Sequence, residues 1–398
     1  MKNNKRVLWL VPKWTLPATD GARVATKSLL RNVAQMGVEV DLACLSNEEA
    51  PQDFEVLKSE LGLEGVYFYR RASHKLHWLF FRFVKRPFAP LTMSSFCDEG
   101  SIAFLKKCIE QKNYDAIVLD GLHLCAPFIL GKGLTPPKNV KLIYRAHNVE
   151  HDLWFASSKR SNSLVKSLIF RWQGALIKKV EEKTLRNCAF VAPISQEDSG
   201  WIKSIVGEER VLVTPLGLKF EKLKKTNSSR MKNFLFIGRL DWEPNRRGLE
   251  WFLLNVWCRI DHRKAKLHIC GSGRGDWLHN HLPMPGVIHH GFVRDVNEIY
   301  QKVDACIAPI FFGSGTRIKV VEPYTKNRPV ITTSMGAQGS GLIPGVHYIE
   351  ADSAKEWVDA ISNFSRNHSQ VLVDAGVEKL KATMDEKVVA HEFCKTCL

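Results

Sequence analysis

Residues 304–336 carry a strand, a glycine-rich turn, a helix and a second strand in immediate succession. The apolar run 305–310 predicts a buried strand, and the β-branched run 330–333 predicts another. Gly313 and Gly315 separate the first strand from a helical pattern. This order predicts a parallel sheet with helices on its faces, because parallel strands need a crossover between them.

The turn of this βαβ unit is predicted to bind an anion. The first backbone N–H groups of a helix lack partners within it and lie at the positive end of the helix dipole. Gly313 and Gly315 have no Cβ that would obstruct a phosphate. Thr316, Arg317 and Lys319 add donors and positive charge. The alternative is a basic turn that only caps the helix.

The N-terminal half begins with the same alternation. A strand is predicted at 7–11, a helix at 24–36 and a further strand at 38–45. Gly21 therefore lies at a strand-to-helix turn, where doubly wound sheets bind ligands. On local grounds, an ordinary turn glycine and a ligand-facing glycine are equally compatible with this position.

A histidine follows a later strand of this half. Residues 140–145 predict a strand that runs directly into Ala146 and His147, so the imidazole is expected at the carboxyl edge of the sheet. Histidine at such an edge suits hydrogen bonding or proton transfer, although a lone histidine is usually structural. Strands at 189–194 and 211–215 are predicted to complete this half.

The length of the chain and one polar stretch predict two domains. A chain of 398 residues exceeds the usual size of a single core. Residues 219–232 are charged and poor in apolar side chains, as in a linker. We expect a Rossmann-like domain at 1–218, a second at 233–375, and a C-terminal helix at 376–398 that crosses back to the first. The predicted fold class is α/β, with two tandem doubly wound domains facing an interdomain cleft.

Composition indicates a globular protein that attracts phosphates. The chain has 25% charged residues and a formal net charge of +16. No apolar run approaches the roughly 20 residues of a membrane span, and the basic N-terminus predicts a strand and not a signal peptide. Scattered cysteines fit a reducing cytoplasm. His391, Cys394 and Cys397 have ligand-like spacing, but without a second pair a surface helix is expected there.

Residues 70–90 combine cations with large aromatic side chains and contain no acid. Such a stretch suits an anionic lipid surface or a lipid-linked acceptor, where aromatics insert and cations meet phosphates. The alternative is a helix packed through its aromatics with solvated charges outside. The aromatics do not fall on one clean helical stripe, which favours this alternative slightly.

Two classes of partner are not expected. The glycines of 271–276 have the wrong spacing for a dinucleotide fingerprint, so neither a nicotinamide nor a flavin cofactor is predicted. A basic nucleic-acid-binding protein is an alternative that the charge alone would allow. No recognised nucleic-acid-binding module occurs, and the cations are spread over both halves.

Several motifs together resemble the family 4 glycosyltransferases, which have the GT-B fold and use nucleotide sugars with retention of configuration. In the second half these are FIGRLDWEPNRRGLEWF at 236–252, HGFVRDVNEIY at 290–300 and FGSGTRIKVVEPYTKNRPVITTSMGAQG at 312–339. In the first half, YRAHNVEHDLW at 144–154 and AFVAPISQED at 189–198 are similar to the same group. The resemblance covers nearly the whole chain.

The resemblance implies a donor site in the second domain. Arg239 resembles the arginine that meets the donor diphosphate, where a guanidinium could bond two phosphate oxygens. Lys319 and the helix opening at Gly315 and Thr316 would neutralise the leaving diphosphate. Glu322 resembles the glutamate that holds the ribose hydroxyls. The donor-binding residues implied are Gly313, Gly315, Thr316, Arg317 and Glu322.

The resemblance also implies an acceptor side in the first domain. His147 matches the histidine that lines the reaction centre and contacts sugar or acceptor, and Gly21 resembles the glycine of the acceptor loop. The catalytic residues implied are His147, Arg239 and Lys319.

Three positions depart from the family pattern. Gly315 stands where the first of two paired glutamates is usual, so contacts to the donor sugar must come from elsewhere. Residues 245–247 replace a lysine expected after Arg239, and 213–220 lacks the usual asparagine-glycine turn.

The reaction implied is transfer of a hexosyl or related unit from a nucleoside-diphosphate sugar to a saccharide or lipid-linked acceptor, with retention. Front-face displacement is the working hypothesis. No Asp-x-Asp pair occurs, so metal dependence is not predicted. No cofactor is expected besides the nucleotide sugar. A nucleotide-sugar epimerase or a phosphorylase on the same fold remains an alternative. We further expect a cytoplasmic protein that contacts an anionic membrane surface at the inner face of the membrane.

Overall fold

The computed structural model of the protein consists of two compact units. The described residues are 5–16, 21–50, 53–71, 89–130, 134–221, 223, 231–313 and 315–398. One unit comprises Met1–Gly217 with Glu386–Leu398, and the other comprises Leu218–Asp385. The basic aromatic stretch expected at 70–90 falls mainly outside the described residues, as does most of the expected linker. None of the described helices is both long and apolar enough to cross a membrane.

The first unit contains a six-stranded parallel sheet. Its strands are β1 (Arg6–Val11), β2 (Glu39–Ser46), β3 (Gly65–Arg70), β4 (Ala116–Asp120), β5 (Lys141–Ala146) and β6 (Phe190–Pro193). The α-helices described between residues 21 and 206 of this unit are α1 (Gly21–Gln35), α2 (Phe54–Leu61), α3 (Leu91–Ser94), α4 (Glu99–Glu110), α5 (Leu122–Ile129), α6 (Glu150–Arg160), α7 (Leu164–Asn187) and α8 (Gln196–Val206).

The order of strands in this sheet, β3–β2–β1–β4–β5–β6, creates a switch point beside β1. β1 pairs with β2 on one side and with β4 on the other, so that Trp9 lies opposite both Leu42 and Val118. Loops leave the two neighbouring strands in opposite directions at such a point and open a crevice at the carboxyl edge. Asp120 ends β4 and Ala146 ends β5, so both lie at that edge.

Alternate residues of β1 serve two hydrophobic layers. Leu8 and Leu10 pack in one buried cluster, whereas Val7, Trp9 and Val11 pack in the other. All are at most 1% exposed. Burial on both faces is expected for a parallel sheet that helices cover on either side, and it sets the register of β1.

The second unit is built around another six-stranded parallel sheet, in the order β12–β11–β10–β7–β8–β9. Its strands are β7 (Lys232–Ile237), β8 (Ala265–Cys270), β9 (Val287–Gly291), β10 (Ala305–Ala308), β11 (Val330–Thr332) and β12 (Ile349–Glu350). Its helices are α9 (Glu243–Asn255), α10 (Asn297–Tyr300), α11 (Ile318–Thr325), α12 (Ser334–Ala337), α13 (Ala354–Ser362) and α14 (Arg366–Met384).

The switch point of the second sheet lies between β7 and β10. Gly248 of α9 packs against the loop after β10, and a Cβ added to it would lie 1.7 Å from the carbonyl oxygen of Pro309. Helix α9 can approach that loop so closely only because the position is glycine. The approach brings the N-terminal turn of α9 to the carboxyl edge of the sheet. The two units together confirm the predicted class of doubly wound, Rossmann-like α/β domains.

The last helix, α15 (Glu386–Cys397), belongs to the first unit. Phe393 of α15 packs on Trp9 with ring centroids 5.5 Å apart, and the Glu386 carboxylate accepts a hydrogen bond from Arg31 at 2.8 Å. The segment that returns to the first unit therefore begins at residue 386 and not at 376, because α14 continues unbroken to Met384.

Two local expectations differ from the structure. The predicted strand at 211–215 forms only an isolated bridge between Val191 and Val211. The helix of the βαβ unit begins at Ile318 and not at Gly315. Gly315 has φ of 74°, which is outside the helical region, so the loop extends further into the motif.

Candidate active site

Arg239 lies at the carboxyl edge of the second sheet, just after β7, with its side chain 53% exposed. Its Nε and Nη2 donate to the two carboxylate oxygens of Asp241 at 3.1 and 2.8 Å. These hydrogen bonds lower the pKa of Asp241. The guanidinium is therefore held in the two-pronged geometry with which arginine binds a carboxylate or a phosphate.

Lys319, in the first turn of α11, is a nearly buried cation with a neutral partner. It is 9% exposed, its Nζ donates to Oδ1 of Asn245, and Nζ lies 4.8 Å from the centre of the Phe236 ring. Burial lowers the pKa of Lys319 to about 7, because the charged form loses its hydration. An amide does not neutralise the ammonium, so its charge remains available to an anion.

Asn245 links this lysine to the arginine. Its Oδ1 accepts from Lys319, and its Nδ2 donates to the carbonyl oxygen of Arg239 at 2.7 Å. The segment that replaces the family's lysine thus supplies a side chain that holds Lys319. This bridging role was missed from the sequence, where Asn245 appeared only as part of a departure from the family pattern.

Gly238 makes room for the same contact. Its φ is 156°, and an added Cβ would lie 2.7 Å from both Lys319 Nζ and Asn245 Nδ2. Both the backbone conformation and the space therefore require glycine. The sequence feature that could have indicated this requirement is a glycine directly between a buried strand and Arg239.

The glycine turn before α11 adopts conformations that disfavour other residues. Gly313 and Gly315 have φ of 124° and 74°. A Cβ at Gly315 would meet nothing within 4 Å, so the backbone and not the space selects glycine there. Thr316 secures the turn by donating from Oγ1 to the carbonyl of Gly339 at 2.8 Å.

Arg317 is buried within the protein, with 5% of its surface exposed. Its Nη1 donates to the carbonyl oxygens of Gly315 and Gln338 at 2.8 and 2.9 Å. These contacts tie the glycine turn to the segment after β11. The geometry supports a positioning role for Arg317, and its direct contact with the donor stays a prediction.

Glu322 follows Lys319 on α11 at a spacing of three residues, which places both side chains on one face of the helix. The residue is partly buried. Burial raises the pKa of Glu322, while Lys326 and the hydroxyl of Tyr300 act in the opposite direction. Its carboxyl group can accept hydrogen bonds from a pair of neighbouring hydroxyls.

A cavity of about 510 Å³ opens at the carboxyl edge of the first sheet. It is lined by residues that follow β1, β4 and β5, including Lys13, Asp120 and His147. Gly21 is exposed at the start of α1, and the next residue, Ala22, lines the cavity. The structure thus places the two predicted acceptor-side residues at or beside one cavity of the first unit.

Asp120 is the buried centre of a hydrogen-bond network in this cavity. Its Oδ2 accepts from Trp9 Nε1 at 3.0 Å and from Thr26 Oγ1 at 2.9 Å, and its Oδ1 accepts from Arg145 Nη1 at 3.1 Å. Burial would raise the pKa of Asp120, but the charges of Arg145 and His147 and the hydrogen bonds of His147 and Trp9 lower it well below its ordinary range. The carboxyl is therefore ionised and accepts only.

His147 is oriented by this carboxylate. Its Nε2 contacts Asp120 Oδ1, and because that oxygen is ionised, Nε2 must carry the hydrogen. Nδ1 is buried and has no hydrogen-bond partner among the described residues. Nδ1 accepts a hydrogen bond when the ring is neutral and donates one when the ring is protonated, so either form can bind a sugar hydroxyl. Sequence reasoning identified His147 but missed Asp120 and Arg145, although Arg145 ends the strand predicted at 140–145.

Other ionisable groups make the cavity polar without giving it a uniform charge. Burial and the neighbouring Glu181 raise the pKa of Glu150 to about 7, so that its carboxyl can donate or accept near neutrality. Burial lowers the pKa of His123 to about 4, which leaves that ring neutral. A mixture of donors and acceptors is suited to hydroxyl-rich ligands.

Comparison with known families identifies the second unit. Residues 231–367 match the model described as Glycosyl transferases group 1. The second unit is a group 1 glycosyltransferase domain. The matched range contains Arg239, Asn245, Lys319 and Glu322, so the candidate donor residues lie within this domain.

Proteins similar to this chain match most of its length. A Klebsiella pneumoniae protein described as an uncharacterized 44.6 kDa protein in the cps region is 24% identical over 371 residues, which are 89% of each chain. Sucrose-phosphate synthase from Thermosynechococcus elongatus has a TM-score of 0.71 at 14% identity, with 98% of each chain covered. Anabaena HepE, in complex with UDP and glucose, has a TM-score of 0.65 at 14% identity, with 99% of each chain covered. These structures share the GT-B fold, which confirms the fold predicted from the motifs.

Within the glycosyltransferase domain, the structure brings Arg239 and Lys319 together through Asn245. Arg317 and Thr316 instead bind backbone carbonyls of the neighbouring loop. The specific roles expected for the donor and acceptor residues stay predictions, and they are the subject of the proposal below.

Proposed function

We propose that the protein is a retaining glycosyltransferase that moves a hexosyl unit from a nucleoside-diphosphate sugar to an acceptor hydroxyl. The observation that carries this proposal is Lys319, a nearly buried ammonium held by a neutral amide at the carboxyl edge of a group 1 domain. A buried charge without a countercharge is costly, and a bound anion would offset that cost. The diphosphate of a nucleotide sugar is an anion of the right kind, and it becomes more negative as it departs.

Arg239 and Lys319 would share the leaving diphosphate. The guanidinium now bonded to Asp241 can exchange that carboxylate for two phosphate oxygens, since both present the same paired acceptors. Lys319 would meet the phosphate nearest the sugar, with the backbone of Gly315 and Thr316 beside it. Charges fixed in place before the glycosidic bond breaks stabilise the transition state more than the ground state.

Glu322 would hold the ribose hydroxyls of the donor. It shares a helix face with Lys319, which allows one helix to contact both the diphosphate and the nucleoside. The HepE structure contains UDP and glucose, so UDP-sugars are the first donors to test.

The acceptor would bind in the cavity of the first unit, with His147 contacting the sugar or the acceptor hydroxyl. The unpartnered Nδ1 and the fixed Nε2 contact with Asp120 give the imidazole a defined orientation for that contact. Gly21, beside the same cavity, would lie against the acceptor.

Retention is proposed to follow from front-face displacement. The acceptor hydroxyl attacks from the side on which the diphosphate leaves, and a departing phosphate oxygen takes its proton. Arg239 and Lys319 would supply the positive charge that a divalent ion supplies in other transferases, so turnover is expected without added metal. No cofactor besides the nucleotide sugar takes part.

The Klebsiella relative encoded in a cps region supports a role in capsular or other surface polysaccharide synthesis. A saccharide or a lipid-linked saccharide is the proposed acceptor. The proposed location is the cytoplasmic side of the membrane, where such acceptors and soluble nucleotide sugars meet.

The test is acceptor-dependent release of nucleoside diphosphate. Purified full-length protein is incubated with a panel of UDP-sugars, with and without free and lipid-linked saccharides, in buffer containing EDTA. UDP release only in the presence of acceptor, with a product whose anomeric configuration by NMR equals that of the donor, supports the proposal. An isomerised nucleotide sugar formed without acceptor would indicate an epimerase, and phosphate-dependent formation of a sugar phosphate would indicate a phosphorylase. A trapped glycosyl-enzyme would contradict front-face displacement.

A further inference from the structure

Helix α7 exposes a row of large aliphatic side chains at its N-terminal end. Leu164, Val165, Leu168 and Ile169 are 85%, 67%, 67% and 46% exposed. Leu164 and Leu168 are one turn apart, as are Val165 and Ile169, so the four form one continuous surface, here called the apolar stripe. Single exposed aliphatic residues are ordinary, but a contiguous group marks an interaction surface.

Cations surround the apolar stripe. Lys159, Arg160, Lys166 and Arg171 are all exposed. At about 100° per residue, Lys166 and Arg171 lie on opposite sides of the stripe, while the other two precede α7 at the end of α6. Residues 153–180 contain no Asp or Glu. This part of the helix pair therefore presents apolar side chains within a positive rim.

The helix pair α6–α7 holds the stripe in a fixed position. Ser158 of α6 donates to the carbonyl oxygen of Ser167 of α7 at 3.0 Å, and Trp154 packs edge-on against Phe170 with centroids 5.7 Å apart. A Cβ added to Gly174 would lie 2.9 Å from the Phe155 ring, so the helices touch closely at that point. The stripe is consequently displayed on a packed hairpin and not on an isolated helix.

We propose that the apolar stripe and its cationic rim dock the protein on an anionic lipid surface. Aliphatic side chains of this length enter the boundary between headgroups and acyl chains, while lysine and arginine reach the lipid phosphates around them. A protein partner would need a cluster of acids around an apolar groove, whereas an anionic bilayer offers both features everywhere. The proposal concerns binding alone and does not depend on sugar transfer.

The docking surface differs from the stretch at 70–90 that the sequence analysis favoured for lipid contact. Its aliphatic residues come from α7, and the sequence pattern gave no reason to expect their exposure, because α7 also carries a buried face. Leu176 and Ile177 on the same helix are 8% and 1% exposed. The packing of α7 against α5, α6, α8 and the sheet decides which of its apolar residues remain uncovered.

Vesicle flotation of the full-length protein tests the proposal. Vesicles of phosphatidylcholine mixed with phosphatidylglycerol are expected to bind the protein, and vesicles of pure phosphatidylcholine much less. Binding to the mixed vesicles is expected to weaken as salt rises, because salt screens the cations. Equal binding to both vesicle types, or no binding to either, would overturn the proposal.

Two variants separate the apolar and charged contributions. Leu164→Ser with Leu168→Ser, and Lys159→Gln with Arg160→Gln and Lys166→Gln, are each expected to lower vesicle partitioning about tenfold or more. The matched controls alter equally exposed residues elsewhere. They are Val56→Ser with Val371→Ser, whose side chains are 59% and 65% exposed, and Lys107→Gln with Lys355→Gln and Lys379→Gln. Losses of the same size in the controls would mean that the stripe is not the docking surface.

Two further measurements keep the outcome unambiguous. Sedimentation without lipid shows whether the stripe instead joins two copies of the chain: a wild-type dimer that the Leu164→Ser, Leu168→Ser variant makes monomeric would overturn lipid docking. Calorimetric UDP binding to the same variants is expected to equal that of wild type. If the protein binds vesicles but not UDP, the docking proposal stands and the proposed transferase function is contradicted. Failure of the docking proposal can therefore be distinguished from failure of the proposed function.

Discussion

The ammonium of Lys319 is held by the amide oxygen of Asn245, whose nitrogen in turn donates to the backbone of Arg239. The neutral side chain of Asn245 thus positions the buried ammonium of Lys319 and the backbone of the exposed Arg239. The exposed cation is already engaged by a carboxylate on its own loop, Asp241, whereas the buried one is not neutralised by its amide partner. Under the proposed function the two cations would have separate tasks: Arg239 would exchange one anion for another, and Lys319 would gain one.

Replacing Lys319 by alanine is expected to reduce kcat/KM for glycosyl transfer about 100- to 1,000-fold, because it removes the charge that we propose stabilises the leaving diphosphate. Fold and thermal stability should be retained, since a buried ammonium contributes little to the core. Steady-state kinetics with the best donor from the panel provide the measurement. Glu322→Ala should likewise abolish most turnover through loss of the ribose contact.

The matched control for this pair is Lys302→Ala, which removes an exposed lysine of the same unit. It is expected to leave the kinetics unchanged. Near wild-type transfer by Lys319→Ala or Glu322→Ala would show that the donor assignment of α11 is wrong.

Asn245→Asp should weaken donor binding although it barely changes the shape of the side chain. A carboxylate in contact with Lys319 would neutralise the ammonium within the protein and compete with the diphosphate. We expect UDP affinity to fall about tenfold or more, measured by calorimetry. Asn255→Asp, on the same helix α9, is the control, because the Asn255 amide donates to the carbonyl of Trp251 and, among the described residues, makes no hydrogen bond to Lys319. Unchanged UDP affinity in Asn245→Asp would place the diphosphate away from Lys319.

Binding of UDP above neutral pH should be accompanied by proton uptake. Burial lowers the pKa of Lys319 to about 7, so at about pH 8 most of the free protein carries the neutral amine. A bound diphosphate favours the charged form and raises that pKa, so the complex takes up close to one proton per site. Calorimetry in buffers of different ionisation enthalpy measures this uptake directly.

The uptake is expected to disappear in Lys319→Ala and to persist in Lys302→Ala. It should also decrease as the pH falls below about 7, because the free lysine is then already protonated. A binding enthalpy of wild type that is independent of buffer at about pH 8 would contradict the assignment of this proton to Lys319.

The sequence predicted the architecture and the charged members of the site better than the contacts between them. Alternating apolar runs placed the strands, and Arg239 and Lys319 stood out because cations near glycine turns are interpretable from local order. The role of Asn245 could not be predicted in the same way. Its contact with Lys319 joins residues that lie 74 positions apart, and it depends on β7 and β10 being neighbours in the sheet.

The start of α11 shows a second limit. Gly315 was expected to open the helix, yet it has φ of 74° and the helix begins at Ile318. Glycine is compatible with both conformations, so composition cannot choose between them. The choice is made by tertiary contacts, such as those of Arg317 with the carbonyls of Gly315 and Gln338.

Gly238→Ala should damage the donor site more than its small size suggests. The added Cβ would lie 2.7 Å from both Lys319 Nζ and Asn245 Nδ2, and the backbone has φ of 156°. Backbone strain alone is expected to cost about 1–3 kcal/mol of stability. The clash would also displace Lys319, so UDP affinity should fall beyond what partial unfolding explains.

Gly291→Ala is the control for Gly238→Ala. Gly291 has φ of 64°, but a Cβ there would meet nothing within 4 Å. It should therefore show the loss of thermal stability without a loss of UDP affinity. If the two variants lose UDP affinity equally, strain in the sheet edge and not the contact with Lys319 is responsible.

Variants of His147 and Asp120 should distinguish a contribution to catalysis from a contribution to stability. His147→Ala is expected to lower kcat about tenfold to 100-fold by removing the proposed hydrogen bond to the sugar or acceptor. UDP affinity should be retained, since the proposed donor residues lie in the second unit. Asp120→Asn removes the charge that faces the fully buried Arg145 and orients His147. Leaving that guanidinium without a countercharge is expected to cost about 3–5 kcal/mol of stability as well as activity.

His391→Ala, at an exposed position of the same unit, is the control and should change neither stability nor activity. Thermal unfolding and single-turnover kinetics distinguish the two effects: a His147→Ala protein that loses stability as Asp120→Asn does, but transfers sugar at the wild-type rate when folded, would show that the histidine is structural.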